Sequence, residues 1–587
     1  MPSRVWSGAW LADVLLSKRP LCSPVVVTDR LRDLPVLVLD CQAAGATPGH
    51  GDLLELGWAV CEQQLAPATI HAHWIARRTD RPVPRAIREL TGWNEAHAAS
   101  ALSEEAAWSA LSEDASRLQH SMQRPSVPTL IHYARFELPF LLDLHARLGH
   151  GAAFPFEVLC VHAIAARLFP ELPRRNIRAL AGYLGHSTEL SRRCEGHVRA
   201  TAFIWRALIP QLEAAGVQTW DQLRAWLQAT PRPSRPARRS YPLPAAQRRA
   251  LPDRPGIYRL RRSNADVLYV GKATSIKKRI AGHFSSGGRP NERALEMLTQ
   301  VHTVDFVETE SILEAALLES DEIKRLDPAY NVQLRSAERH AWFASRDLSE
   351  QLPAPDAAHR TGPLPSQRAL APFAALIELA GGAEASPRLR ASALAVPWHI
   401  GPEQALFAAG WHVFATEHLN HDASSPARRI ERAARTLWLL RGRDEVAAST
   451  EAAPDAWDQA RVLRRLERNL VQGGLIKRRA RWLCLLAEAD VAFREAPMRQ
   501  ARRLVLSCAR VLERGPLAHV AELASCAPRS WVPHQRRQAC FDAASYDRMR
   551  VLTTELHRVL DEGGEVGVRV GSRLWLGERL VQLMRSL

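Results

Sequence analysis

The stretch GIYRLRRSNADVLYVGKATSIKKRI, residues 256–280, places two tyrosine tripeptides directly before a row of cations. Its apolar runs GIYRL and DVLYVG are rich in β-forming residues, and the turn-prone RRSNA between them predicts an antiparallel hairpin. The helix expected next carries Arg279 and His283 on one face, because they are four residues apart. We therefore expect Tyr258 and Tyr269 to share a patch with these two side chains.

Phenols, an amine, a guanidinium and an imidazole in one patch suit the hydrolysis of a phosphodiester. A polarised phenol or amine can deprotonate water, and a guanidinium stabilises charge on phosphoryl oxygens. The patch lacks a metal ligand, but the acidic helix expected downstream offers Glu319, which follows an apolar run at 315–318. A carboxylate that faces inward there, with waters, would suit magnesium. Taken singly, each motif is equally typical of a hairpin aromatic or a solvated helix face.

Length and charge narrow the class of protein. At 587 residues the chain is long enough for about three or four domains. Its formal net charge of +16 favours a polyanionic partner, most simply nucleic acid, although a solvated face or a membrane-surface contact would give the same charge. The nine cysteines include no Cys-x-x-Cys pair, which argues against a zinc or redox motif. No run suits a secretory signal or a membrane span, so a cytoplasmic protein is expected.

The central segment resembles the GIY-YIG nuclease domain, most closely that of the bacterial excinuclease subunit UvrC and its shorter relative Cho. The motifs GIY, LYVGKA, the Lys-Lys-Arg helix, EAALLE and DPAYNVQLR occur in the family's order over about 85 residues. The resemblance implies a catalytic set with Glu319 as the ligand of Mg²⁺ or Mn²⁺, and two lysines that contact DNA, Lys277 and Lys278. The catalytic set would be Tyr258, Tyr269, Lys272, Arg279, His283 and Asn331.

One departure from the family pattern lies inside this set. His283 stands where UvrC-type domains have a tyrosine. Because histidine can also donate to a phosphate or relay a proton, we expect activity to survive the change. Either Tyr258 or Tyr269 could be the general base.

The amino-terminal segment resembles the DEDDh 3′-to-5′ exonucleases, in which Asp-x-Glu at a strand end binds two metals. Three stretches carry the resemblance: VLVLDCQAAGATPGHGDLLELGWAV, LIHYARFELPFL and LPRRNIRALAGYLG…EGHVRATAF. Asp40 is present, but Gln42 replaces the glutamate, Glu137 replaces the second aspartate, and Ala202 stands five residues after His197, where aspartate is expected.

Two metals about 4 Å apart need several carboxylates to offset their charge, which a neutral amide and a methyl cannot supply. We expect a degenerate exonuclease that keeps the fold and a groove for DNA or a protein. A one-metal site of Asp40 and Glu137 is the alternative, and His197 is more typical of a helix cap than of catalysis.

The expected fold class is multidomain, with an α/β ribonuclease-H-like exonuclease fold, a small α+β GIY-YIG domain and a mainly α carboxyl-terminal region. In a competing layout, the exonuclease and nuclease domains pack as one unit. The expected boundaries are 1–34 for an amino-terminal extension, 35–215 for the exonuclease-like domain, 228–247 for a Pro/Arg-rich linker, 248–335 for the nuclease domain and 336–587 for a mainly helical UvrC/Cho-like region.

The expected function is a metal-dependent DNA endonuclease that makes incisions in nucleotide-excision repair. Its partners would be DNA, most simply a damaged duplex, and excision-repair proteins of the UvrA/UvrB type, with no membrane contact. A non-catalytic DNA-binding repair scaffold and a 3′-to-5′ exonuclease with a residual active site are the alternatives.

Overall fold

The computed structural model describes residues 29–585 apart from 63–66, 68, 80, 187–191, 230–239, 286–290, 333, 335–340, 420–423, 448–456 and 497. The chain divides into two compact units. Unit 1 takes the described residues up to Asp253, with Tyr258–Tyr269 and Ile276–Phe306. Unit 2 takes Arg254–Ile257, Val270–Ser275 and the described residues from Val307 onwards. Among the residues described, every helix is too short or too polar to cross a bilayer.

The amino-terminal part of unit 1 is a five-stranded sheet in the order β3-β2-β1-β4-β5. Strands β2 and β3 are antiparallel neighbours of one another, β1 runs antiparallel to β2, and β1, β4 and β5 are parallel. The strands are β1 (Val36–Ala43), β2 (Leu53–Cys61), β3 (His71–Trp74), β4 (Val127–Ile131) and β5 (Phe156–Cys160), and the helices are α1 (Arg85–Thr91), α2 (Glu104–Met122), α3 (Ala134–Leu148), α4 (Val161–Leu168), α5 (Ile177–Tyr183), α6 (Cys194–Ala214) and α7 (Trp220–Ala229).

Strand β1 is buried along its whole length, which explains the apolar run Val36–Leu39 at its start. Val36 and Val38 join a core that includes α6, whereas Leu37 and Leu39 join a second core with α2 and α3. A strand covered on both faces is expected to be apolar at every position instead of alternating. The strand therefore brings its one acidic residue, Asp40, into a buried environment near its end.

The central segment contains a three-stranded sheet in the order β7-β6-β8. Its first two strands are neighbours joined by residues 262–266, and the Arg262 N–H donates to the Asp266 carbonyl at 3.0 Å, as expected for a hairpin. A helix that the sequence analysis did not anticipate, α10, precedes β8. The elements are β6 (Gly256–Arg261), β7 (Val267–Ala273) and β8 (Thr303–Glu308), with α8 (Ala245–Arg249), α9 (Ile276–Phe284), α10 (Glu292–Thr299) and α11 (Ile312–Leu326).

The carboxyl-terminal region is helix-rich, as expected, but it also contains two sheets that the sequence analysis missed. They are β10-β9-β11 and the antiparallel β14-β13-β12-β15-β16. The strands are β9 (Trp342–Ser345), β10 (Gln351–Leu352), β11 (His359–Leu364), β12 (Asp490–Arg494), β13 (Ala501–Ser507), β14 (Arg510–Leu517), β15 (Glu565–Val570) and β16 (Arg573–Leu576). The helices are α12 (Ala371–Ala380), α13 (Pro387–Leu394), α14 (Gln404–His418), α15 (Pro426–Ala447), α16 (Gln459–Leu486), α17 (His534–Ala539), α18 (Ala543–Asp561) and α19 (Gly577–Arg585).

Within unit 2, the acidic helix α11 shares a hydrophobic core with the larger carboxyl-terminal sheet. Leu313 and Leu317 of α11 belong to the same buried cluster as Leu552 and Leu556 of α18 and Phe493 of β12. Apolar burial of this kind contributes about 1.5–3 kcal/mol for each large side chain. The helix that carries Glu319 is therefore held by residues far along the chain.

Two of the expected boundaries fall partly outside the described residues. Of the proposed extension 1–34, residues 29–34 are described, and Leu31 is buried in the core of the exonuclease-like part. Of the proposed linker 228–247, residues 230–239 lie outside the description, while 228–229 belong to α7 and Leu243 is 1% exposed. Both boundaries stay predictions.

Helix α5 of the exonuclease-like part packs on α10 of the nuclease segment within unit 1. The Asn176 amide donates to Glu296 at 2.6 Å, and Tyr183 stacks on His302 with ring centroids 5.5 Å apart. Gln300 is fully buried here, accepting from Arg262 at 3.0 Å and donating to the Glu296 carbonyl at 2.9 Å. These contacts join the two parts within unit 1, and the expected domain layout stays a prediction.

The close approach of α5 to α10 depends on a glycine. A Cβ at Gly182 would overlap the Gln300 side-chain amide, whereas a Cβ at Gly282, in the exposed part of α9, meets no atom within 4 Å. Gly182→Ala should therefore lower the free energy of unfolding by about 1–3 kcal/mol, because displacing Gln300 leaves buried polar groups unpaired. Gly282→Ala should raise it by up to about 1 kcal/mol.

The midpoint of urea unfolding of the full chain measures both changes. Equal shifts in the two variants would contradict a close α5–α10 contact at Gly182.

Candidate nuclease site and exonuclease-like site

The tyrosine patch of unit 1 forms as the sequence analysis predicted. The hydroxyl of Tyr258, on β6, lies 2.8 Å from Nε2 of His283, on α9. The ring of Tyr269, on β7, lies 6.1 Å from the ring of Tyr258 and 6.1 Å from that of His283, centroid to centroid. Tyr258 is fully buried and Tyr269 is partly exposed. Two strands and one helix thus bring two phenols and an imidazole into contact.

Arg279 and His283 differ in charge within this patch. Burial, followed by the neighbouring Arg279 charge, lowers the pKa of His283 to about 4. A hydrogen bond with the Tyr258 hydroxyl is the largest cause of a raised pKa at Arg279. At pH 7 the imidazole is therefore neutral, so it offers hydrogen bonds, while the guanidinium supplies the positive charge.

Glu319, the expected metal ligand, belongs to unit 2. Helix α11 begins after Ser311, whose hydroxyl accepts from the Glu314 N–H at 3.1 Å, a usual N-cap contact. Two turns later the partly exposed Glu319 accepts from the backbone N–H of Lys272, on β7, at 2.9 Å. This bond fixes one hard carboxylate oxygen beside the strand. A single carboxylate fits a magnesium-type ion whose other ligands are waters.

The two other expected catalytic residues of unit 2 have distinct environments. Lys272 Nζ forms an ion pair with Glu555 of α18, a residue that the sequence analysis did not select. Asn331 is buried and uses both ends of its amide on Val270, accepting from its N–H and donating to its carbonyl, each at 2.9 Å. Asn331 therefore binds β7 as a neighbouring strand would, which holds Tyr269 and Lys272 in register.

Lys277 and Lys278, the expected DNA contacts, are both exposed on α9. Lys278 Nζ lies 3.7 Å from Asp253, with both side chains more than half exposed. Such an exposed pair contributes little to stability. The exposed turn of α9 thus carries positive charge beside the tyrosine patch.

In the exonuclease-like part, Asp40, His197 and Glu137 come together as the resemblance implies. Asp40 Oδ2 lies 3.2 Å from His197 Nδ1, and Glu137 accepts from the Cys41 N–H at 3.2 Å. Burial alone would lower the pKa of His197, but the Asp40 carboxylate outweighs it and the net pKa is raised. Burial, followed by the Asp40 charge, raises the pKa of Glu137.

The remaining positions of this site do not suit two metals. The Gln42 amide donates to the Arg192 carbonyl, and Ala202 places a buried methyl where an acid is expected. Glu55, which faces Gln42 across the β1–β2 pair, is fully buried, but its carboxylate is paired with Arg193. Among the described residues, two of the expected acidic positions of this site are thus not acidic, and the nearby Glu55 carboxylate is paired with a cation.

Glu55 and Glu555 are the two residues of these sites that the sequence analysis missed. Glu55 had a weak signal, a lone acid inside the apolar strand LLELGWAVC. Glu555 had none, because it is one of many charges on the amphipathic helix α18 and its partner is 283 residues away in sequence.

The phenols, imidazole and guanidinium of the tyrosine patch are groups that can act on a phosphodiester, and comparison with known proteins shows what this segment is similar to. Residues 254–332 match the family model of the UvrC-like GIY-YIG domain. A Mycobacterium tuberculosis protein named as a bifunctional exonuclease/endonuclease is 29% identical over 252 residues, 42% of this chain and 38% of its own length. The UvrABC system protein C of Bradyrhizobium diazoefficiens is 46% identical over 87 residues, 15% of this chain and 13% of its own.

Among solved structures, the magnesium-bound GIY-YIG endonuclease domain of Thermotoga maritima UvrC is 23% identical, with 15% of this chain and 93% of that chain covered and a TM-score of 0.14. The chain spans less than half the length of either curated relative. It combines a UvrC-like GIY-YIG domain with an exonuclease-like amino-terminal region.

The Asp40–His197 contact makes a measurable prediction. Asp40→Asn removes the charge that raises the pKa of His197, so burial should dominate and the His197 pKa should fall. Titration of the His197 ring by NMR, assigned with His197→Gln, measures the change. Glu195→Gln, which removes an exposed charge from the same helix, is the control and should leave the pKa nearly unchanged. An unchanged His197 pKa in Asp40→Asn would contradict the assigned pair.

Proposed function

We propose that this protein is a metal-dependent DNA endonuclease that hydrolyses phosphodiester bonds at its GIY-YIG site, as an incision enzyme of the nucleotide-excision-repair type. The observation that carries the proposal is the pair of tyrosines held against neutral His283 and charged Arg279. The match of residues 254–332 to the UvrC-like domain supports it. A non-catalytic scaffold would have no need of a buried phenol fixed by these two groups.

The two tyrosines have different roles in this mechanism. Tyr269 is partly exposed, so its hydroxyl can contact a water, and we assign it the task of activating the nucleophile. Tyr258 is fully buried and orients Arg279 and His283 through its hydroxyl. Arg279 stabilises the negative charge that develops on the phosphoryl oxygens, and His283 adds a hydrogen bond. Lys272 follows Tyr269 by three residues on β7. We assign to Lys272 the task of assisting the proton transfer.

Glu319 is the residue that would hold the metal, with waters as the other ligands. Its carboxylate oxygen suits a hard cation, and the bond from the Lys272 N–H fixes the side chain in place. Magnesium or manganese there would polarise a phosphoryl oxygen of the substrate. The T. maritima domain was solved with magnesium bound, which supports this choice of ion.

The exonuclease-like region is, in this proposal, an inactive fold that offers a groove to DNA or to a protein partner. The partners would be damaged duplex DNA and excision-repair proteins of the UvrA/UvrB type, in the cytoplasm. The paired Glu55 and the methyl of Ala202 support the loss of two-metal catalysis.

Nicking of a lesion-bearing supercoiled plasmid with Mg²⁺ tests which site is active. Glu319→Gln and Arg279→Met should each reduce the nicking rate by about 10² or more, because each removes one preorganised charge. Glu322→Gln, on the same helix but paired with Arg325, should retain nearly full activity. Asp40→Asn should also nick normally.

Two results would contradict the proposal. One is a wild-type protein that nicks nothing with Mg²⁺ or Mn²⁺, alone or with excision-repair proteins. The other is a 3′-end degradation that disappears in Asp40→Asn and persists in Glu319→Gln, which would place the chemistry in the exonuclease-like part.

His283 generates a separate prediction. Because its pKa is about 4, it stays neutral from pH 8 to pH 5.5, so wild type and His283→Tyr should have parallel pH–rate profiles over that range. His283→Tyr keeps a hydrogen-bonding group and should nick within about tenfold of wild type, while His283→Phe should lose about 10². A wild-type inflection near pH 6.5 that is missing in His283→Tyr would be the contrary result.

A further inference from the structure

Lys272 is held by two carboxylates that come from different parts of unit 2. Its backbone N–H donates to Glu319 of α11 at 2.9 Å, and its Nζ is paired with Glu555 of α18. The Glu555 residue is 4% exposed, whereas the Lys272 side chain is 34% exposed. The acidic partner is thus fixed inside the protein, and the lysine remains reachable from solvent.

We propose that Glu555 is a positioning residue for the nuclease reaction, acting through Lys272. The inference rests on the proposed function and assigns a task to the carboxyl-terminal region. Glu555 anchors the Lys272 ammonium at one point beside β7, so that the long side chain does not sample its many other rotamers.

The anchor is itself braced by a chain of ion pairs. Arg558 donates to Glu555 Oε2 at 2.7 Å and to Glu495 at 2.7 Å. Glu495 in turn accepts from the backbone N–H groups of Ile312 and Leu313, at 3.2 and 3.0 Å, where α11 begins. A carboxylate at a helix N-terminus is favoured by the helix dipole. The α18 anchor is therefore coupled to the start of the helix that carries Glu319.

These contacts form a closed ring, because Glu319, on the same helix α11, accepts the hydrogen bond from the Lys272 N–H. Two further ion pairs fasten the same two helices to one another, Lys324 to Asp547 at 2.6 Å and Arg548 to Asp321 at 2.7 Å. Below them, Leu317 and Leu552 share a buried core. The distance between the Glu319 carboxylate and the Lys272 ammonium is thus set by the packed helices α11 and α18 and not by a loop. A misplacement of about 1 Å in such a pair can cost about 10²-fold in rate.

The same contact would inhibit if it drew the ammonium away from the substrate. Two observations favour positioning. Glu555 shares its charge with Arg558, so Lys272 does not have to neutralise the carboxylate alone. The Lys272 side chain is also partly exposed while it is paired, so a phosphate or water can approach the held ammonium.

Steady-state nicking by the full chain with Mg²⁺ tests the inference. Glu555→Gln should lower kcat by roughly 10- to 100-fold with KM for the duplex changed less than about threefold, because a positioned group acts in the transition state. Glu562→Gln is the matched control: Glu562 also pairs with Arg558 on α18, but it does not pair with Lys272, and activity should persist. Glu555→Asp, which keeps the charge, should recover part of kcat.

A double-mutant comparison separates positioning from general destabilisation. In a Lys272→Ala background, Glu555→Gln should cause no further loss of kcat, since the residue through which it acts is gone. An equal loss in that background would overturn the inference and indicate a structural role. A rise in kcat for Glu555→Gln would overturn it in favour of an inhibitory contact.

The positioning role and the proposed nuclease function are tested by different samples. Wild-type nicking with full activity in Glu555→Gln overturns only the positioning role, and a wild type without nicking overturns both. If circular dichroism shows that Glu555→Gln does not fold, Glu555→Asp supplies the test. Full kcat in Glu555→Asp, together with unchanged kcat in Lys272→Ala, then overturns the inference.

Discussion

The hydrogen bond from the Lys272 N–H to Glu319 is the interaction on which the nuclease half depends. A carboxylate on a helix has many rotamers, and the metal-binding role that we propose for Glu319 requires one of them. The bond takes its donor from a strand backbone, whose position is set by the sheet and by the Asn331 amide on Val270. The bond thereby fixes the Glu319 side chain to the strand backbone. Preorganisation of a charged group requires a side chain that is fixed in this way.

The motifs that lie within about 80 residues of each other were readable from the sequence, because local spacing determines which side chains share a hairpin or a helix face. Tyr258 and His283 met as expected for that reason. The parallel strands β4 and β5 have five residues each, which is too few to carry a clear sequence period. In the carboxyl-terminal sheets, β14 is largely exposed and lacks an alternating apolar pattern, while β12 and β15 are short runs buried along most of their length.

Glu555 illustrates a different limit of sequence reasoning. Its partner is fixed by tertiary packing of α18 on α11, and no periodicity encodes which of many surface charges will be buried. The exonuclease-like part shows the complementary case, in which fold and chemistry separate. The apolar residues Val36–Leu39 bury strand β1 on both faces, so its place in the sheet does not depend on an acid at position 42 or 202. Burial conserves architecture, while catalysis depends on a few replaceable side chains.

The ion pair between Lys272 and Glu555 spans 283 residues of sequence, and this separation has a consequence during synthesis. A ribosome translating this chain completes the tyrosine hairpin and the Glu319 helix long before it reaches α18. At about 5–20 residues per second, the lysine waits on the order of 15 to 60 seconds for its anchor. A nascent chain therefore possesses every residue of the GIY-YIG motif while its lysine is still unanchored.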